Sequence, residues 1–123
     1  MDIQEIAIGL RFPEGPLACV DGSIILVEIE AGRLTRIEAS GKKQIIAETG
    51  GGPNGAAFGP DGRIYVCNNG GMRFVEKDDM LFPAPMNDDA SNTGWIDAID
   101  PKNGKVETIY RDCDDAPLMA PND

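Results

Sequence analysis

The chain has 123 residues, enough for one modest core, and sets 11 basic residues against 21 acidic ones for a formal net charge of −10. That balance excludes a nucleic-acid partner, which needs clustered Lys and Arg, whereas Lys42-Lys43 is the only adjacent basic pair. With no histidine, Ser-His and Cys-His dyads and imidazole metal ligands are absent from the chain, and Cys19, Cys67 and Cys113 are too far apart for a CxxC zinc motif or a disulfide framework.

No stretch approaches the roughly 20 apolar residues of a membrane span, and no basic-flanked apolar leader opens the sequence. The expectation is therefore no membrane partner and a cytoplasmic location. Ile3, Ile6, Ile8 and Leu10 alternate loosely and suggest an edge strand. Phe12-Pro13-Glu14-Gly15-Pro16 then blocks a helix. Four short strands are expected next, over 17–20, 23–28, 33–38 and 44–48, separated by Asp21-Gly22 and further Gly turns. Four antiparallel strands in about forty residues make one sheet of propeller-blade size.

The pattern then starts again, forty residues on: Pro53 matches Pro13, Gly55 matches Gly15, and Asp61-Gly62 matches Asp21-Gly22. Residues 55–58 and 63–68 repeat the first two strands. Gly94-Trp95-Ile96-Asp97-Ala98-Ile99-Asp100 repeats the third at an offset of sixty-two, so twenty-two residues have been added in between. The repeats therefore span 13–49 and 53–113, with an insert at 71–93 and a third copy beginning at Pro121-Asn122. The insert, with Lys77-Asp78-Asp79, Pro83, Pro85 and Asn87-Asp88-Asp89, is too polar and proline-rich for a core element and reads as a long loop, either a surface flap or functional. Cys19 and Cys67, in apolar strands, read as small buried hydrophobes, and Trp95 as core or lid packing.

In an up-and-down sheet the start of the first strand, the end of the second and the start of the third share one end. Glu14, Asn54 and Asn122, each just before a first strand, and the insert, between a second strand and a third, belong at that end, with the insert as a lid. One carboxylate and two carboxamides are hard oxygen donors suited to calcium or magnesium rather than zinc. Taken singly, Asn before Gly is also an ordinary turn and Glu14 also a solvated turn carboxylate; their recurrence in each repeat carries the functional reading.

The segments FPEGP at 12–16, GGGPNGAAFGPDGRIYVCNNGG at 50–71 and APND at 120–123 resemble the N-terminal part of the senescence-marker-protein/gluconolactonase/luciferin-regenerating-enzyme family. The resemblance implies an all-β fold, roughly two four-stranded blades of a six-bladed β-propeller. It also implies a Ca2+ ion, or another divalent cation such as Mg2+, Mn2+ or Zn2+, at the mouth of the central channel. It places Glu14 and Asn122 at the metal, with Asn122 also at the substrate, and makes Asn54 a substrate-pocket residue. The implied activity is hydrolysis of a small-molecule sugar-type lactone. Non-catalytic calcium or protein binding, or esterase or phosphotriesterase chemistry on the same fold, are the alternatives. Ala120 holds a place where some relatives carry an Arg. The remaining ligands and the general base are expected in a C-terminal half beyond Asp123, which makes the chain a fragment with open sheet edges available for self-association.

Overall fold

The computed structural model describes residues 1–85 and 93–123, and every regular element among them is a β-strand. The first sheet contains β1 (Pro13–Ala18), β2 (Ile24–Glu28), β3 (Arg33–Ile37) and β4 (Lys43–Glu48), antiparallel in the order β1-β2-β3-β4. Short connections keep consecutive strands adjacent. At the first, Gly22 takes φ +81°, while the Asp21 carboxylate accepts bonds from the Ser23 amide at 3.0 Å and hydroxyl at 2.6 Å.

The second sheet repeats this plan with β5 (Pro53–Phe58), β6 (Ile64–Asn68), β9 (Trp95–Ile99) and β10 (Val106–Tyr110), in the order β10-β9-β6-β5. No described residue of the long connection from β6 to β9 joins the sheet; Ile64 pairs with Ile99 and Asn68 with Trp95 as in any hairpin. Each repeat has therefore formed its own four-stranded sheet, from the strands that the forty- and sixty-two-residue offsets mark out.

The core lies between the sheets. Ile25, Val27, Leu34 and Ala47 of the first meet Ile64, Val66 and Ile99 of the second, with Leu17, Cys19, Ile46, Ala56 and Val106 at the margin. Val27, Leu34, Ile64, Val66 and Ile99 are wholly excluded from solvent, each worth about 1.5–3 kcal/mol of burial. The forty-residue offset maps Ile25 and Val27 onto Tyr65 and Cys67, on the far face of the second sheet, and Ile24 and Leu26 onto Ile64 and Val66 on its near face. Successive sheets thus present opposite faces to one neighbour, which is how blades stack around an axis. The architecture is that of β-propeller blades.

The structure corrects three expectations. Residues 3–10 form no strand. Gln4, Glu5, Ile6, Ala7 and Leu10 lie across the other face of the first sheet, over Pro16, Ile24, Leu26 and Ile37, and Lys43 Nζ binds the Ile8 carbonyl at 2.8 Å. Ile3, Ile6 and Ile8 stay exposed, and the segment is held by the Lys43 contact rather than by strand pairing.

The insert is not a structureless loop. It contains a hairpin of β7 (Arg73–Lys77) and β8 (Met80–Ala84), paired from Arg73↔Ala84 to Lys77↔Met80. Asp78 and Asp79 form its two-residue turn with φ of +53° and +59°, the left-handed pair that a tight hairpin requires and that Asp tolerates. The rest of the insert, including Asn87-Asp88-Asp89, lies outside the described residues. Cys19 and Cys67 are half-buried rather than buried, and Cys113 is exposed in the short hairpin of β11 (Asp112–Cys113) and β12 (Ala116–Pro117). Burial, helped by the charge of Asp123, pushes the Cys67 thiol up.

Candidate cation and substrate site

Pro13-Glu14-Gly15 and Pro53-Asn54-Gly55 open the strands β1 and β5, and a third copy, Pro121-Asn122-Asp123, follows without regular structure. A Cβ placed on Gly15 would stand 3.2 Å from the Gly55 Cα and 2.9 Å from the Ala56 nitrogen. One placed on Gly55 would stand 2.6 Å from the Asp123 Cα. The third residue of each motif thus lies against the third residue of the next, and glycine at the first two permits that approach. Glu14 and Asn54, each one residue earlier, occupy equivalent places in β1 and β5, and Asn122 holds the matching place in the irregular segment beside them.

Both complete strands are irregular at this point. The β1–β2 pairing shifts register between Glu14 and Leu17, and the β5–β6 pairing shifts between Pro53 and Gly55, leaving Asn54 in the bulge. Bulges re-aim side chains and interrupt the ladder, and they are common beside active sites. Glu14 is exposed, Asn54 half-buried and Asn122 exposed. Among the described residues, no hydrogen bond or ion pair engages the Glu14 carboxylate.

Beneath this end each sheet closes on a buried polar side chain. Glu28, wholly buried opposite Pro13, accepts bonds from Arg33 at 2.8 and 3.1 Å, from the Thr35 hydroxyl at 2.6 Å and from the Arg11 amide at 2.6 Å. Burial pushes its pKa up, but Arg33, Thr35 and the Arg11 amide outweigh that and hold it below the usual carboxylate value. Asn68, the counterpart of Glu28 in the repeat, is wholly buried opposite Pro53. Its Oδ1 accepts from the Gly52 and Gly70 amides at 2.8 and 3.0 Å, and its Nδ2 donates to the Gly50 carbonyl at 2.8 Å. It staples the glycine-rich approach to β5. Asp97 accepts from Trp95 Nε1 at 2.8 Å and from Thr108 at 2.7 Å, and Arg111 stacks 4.9 Å from the Trp95 ring. Trp95 therefore packs over the sheet end, as the sequence suggests.

The hairpin β7–β8 reaches back from the second sheet to the approach of β1. The Phe74 and Phe12 rings lie 4.9 Å apart, and Arg11 Nη1 meets Glu76 at 3.3 Å. Arg11 also grips Glu30 at 2.7 and 2.8 Å. A groove of about 420 Å³ separates residues 9–13 from the hairpin tip at Asp79, Met80 and Leu81. Sequence reasoning placed the insert at this end but missed Phe12, Arg11, Phe74 and Glu76. The two short apolar runs Phe74-Val75 and Met80-Leu81-Phe82 on either side of Asp78-Asp79 were the available hairpin signal.

The donors at the motif end are hard oxygens, which fit calcium or magnesium chemistry, and the motifs carry carboxylates at Glu14 and Asp123. Among the described residues, no three His, Cys, Asp or Glu gather as a metal cluster. No helix among them is long and apolar enough to cross a membrane.

Two stacked four-stranded blades whose inner strands begin with one repeated polar motif define the class: this is a β-propeller chain with its candidate site at the strand-opening end. The sequence pattern of the SMP-30/Gluconolactonase/LRE-like region matches residues 12–123, and the chain belongs to that family. The family includes lactonases and is typically dependent on a divalent metal. No curated protein matches the chain at a significant level.

Proposed function

We propose that the chain contributes to a divalent-cation-dependent hydrolase of the gluconolactonase type, acting on a sugar-type lactone with Ca2+ as the preferred ion. The observation that carries this reading is the side-by-side placement of the Glu14, Asn54 and Asn122 motifs, brought together by the Gly15 and Gly55 contacts. Glu14 and Asn122 would hold the cation, and Asn54 and Asn122 would bind the substrate. When bound, a cation there supplies Lewis acidity toward the lactone carbonyl and its developing oxyanion. The free carboxylate of Glu14 supplies the negative charge, while the amides of Asn54 and Asn122 offer oxygen and N–H groups that can orient ring hydroxyls. The hairpin β7–β8 lies beside this end and would restrict access to it.

The test is calcium-dependent hydrolysis of gluconolactone by the chain. Activity that Glu14→Gln abolishes supports the reading. A melting temperature that calcium leaves unchanged defeats the cation assignment. A second reading, a non-catalytic propeller piece that binds calcium or a protein partner, is favoured by the lack, among the described residues, of three gathered His, Cys, Asp or Glu side chains. It predicts a calcium shift without turnover. Activity on aryl esters or phosphotriesters but not lactones would move the reaction class while keeping the site.

A further inference from the structure

We propose that the hairpin β7–β8 is a positioning strap for Glu14, acting through Phe74 and Glu76 on residues 11–13. This rests on the reading of Glu14 as the cation's carboxylate.

The segment it holds is strained. Phe12 takes φ +58°, a left-handed conformation that a bulky side chain adopts only when its surroundings over-determine it. On one side those surroundings are the first sheet. The Ile29 amide donates to the Phe12 carbonyl at 3.0 Å, the Glu30 amide to the Arg11 carbonyl at 3.3 Å, and the Arg11 amide to the buried Glu28 carboxylate at 2.6 Å. On the other side stands the hairpin, whose Phe74 ring lies 4.9 Å from that of Phe12 and whose Glu76 takes the free arm of Arg11.

The contact is concentrated. Toward its tip the hairpin faces residues 9–13 across the groove lined by Asp79, Met80 and Leu81, and among the described residues the ring contact and the ion pair to Phe12 and Arg11 come from Phe74 and Glu76. Glu14 follows two residues after Phe12, at the register shift where β1 leaves its regular pairing with β2. Its carboxylate has no hydrogen bond among the described residues, so the direction of Glu14 is set by its backbone, held by pairing with Val27 on one side and by the segment that leads into it on the other. An element from the second repeat thus fixes the carboxylate of the first. Neither Phe74 nor Glu76 would touch the cation or the substrate.

The experiment compares amide 1H–15N spectra of the full chain as wild type, Phe74→Ala, Phe74→Leu and Glu76→Gln, first without and then with calcium. In Phe74→Ala the Glu14 and Gly15 resonances should move before any calcium is added, while those of Ile64 and Ile99 stay in place. Calcium affinity should then fall roughly tenfold, within the usual range of site-to-site coupling. Phe74→Leu should restore most of both effects, and Glu76→Gln should give a smaller change of the same kind. If Phe74→Ala does not fold, Glu76→Gln provides the same readout. Unchanged Glu14 and Gly15 resonances in variants whose hairpin signals have moved would overturn the strap. A wild-type chain whose Glu14 resonance ignores calcium defeats the cation assignment instead, and the calcium-free spectra still decide the strap.

Discussion

Gly15 lies so close to Gly55 that a Cβ on it would stand 3.2 Å from the Gly55 Cα, and Gly55 meets Asp123 more closely still, at 2.6 Å. A methyl group at residue 55 must displace backbone, since the obstructing atoms are main-chain. Gly55→Ala should therefore destabilise the chain by about 1–3 kcal/mol, the usual cost of overpacking. Denaturant unfolding measures it, and shifted amide resonances at Ala56 and Asp123 would locate the disturbance.

The Glu28–Arg33 pair makes stability depend on pH. Glu28 holds its proton more weakly folded than unfolded, so its contribution is complete above the ordinary value of 4.5 and is lost as pH falls through the lower folded value. Asp61, held down to about 2 by Arg63 and Tyr65, acts in the same direction from 3.8 downward, though exposed to solvent. Melting temperature followed from about pH 7 to about pH 2 should fall along this limb, and Glu28→Gln should flatten its upper part.

Removing Arg33 leaves a buried carboxylate with only its Thr35 and Arg11 amide donors. Arg33→Ala should cost about 3 kcal/mol, the order expected when one partner of a buried pair is lost. A double variant with Glu28→Gln should recover part of that loss, because the stranded charge is then gone. Equal losses in the single and double variants would refute the pair as the cause.

Asn68 satisfies three backbone groups from inside the protein. Asn68→Ala should destabilise by about 2–4 kcal/mol through the amides and carbonyl left unpaired. Hydrogen exchange at Gly52 and Gly70 should accelerate ahead of the sheet interior.

At the hairpin tip, Asp79 pays a conformational penalty at φ +59° that glycine avoids. Asp79→Gly should stabilise the hairpin by about 0.5–1 kcal/mol and slow exchange at Val75 and Lys77. Faster exchange would show that the Asp side chain itself supports the turn.

Much of this was legible in the chain because short-range chemistry repeats. Asp21-Gly22 and Asp61-Gly62 announce the same turn twice, and the apolar residues around Ile25 and Ile64 mark strands of the same length. The Pro-Glu-Gly, Pro-Asn-Gly and Pro-Asn-Asp motifs likewise show that one polar position recurs at the head of each repeat. The hairpin of the insert was harder to see, because its strands are mostly exposed and carry only weak alternation. Residues 3–10 misled for the opposite reason. Their alternation is real, yet Ile3, Ile6 and Ile8 are exposed and no strand forms, which periodicity alone cannot distinguish from a paired strand.

Sequence alone determined the repeat, the blade-forming strands, the oxygen-donor character of the candidate site and the family to which the chain belongs. The tertiary structure decided which residues surround that site. Glu28 with Arg33, and Phe12 with Phe74, are set by long-range packing between segments whose spacing in the chain carries no local signal. The forty-residue repeat specifies what each blade looks like, but only the stacking of one blade against the next brings Gly15, Gly55 and Asp123 into line.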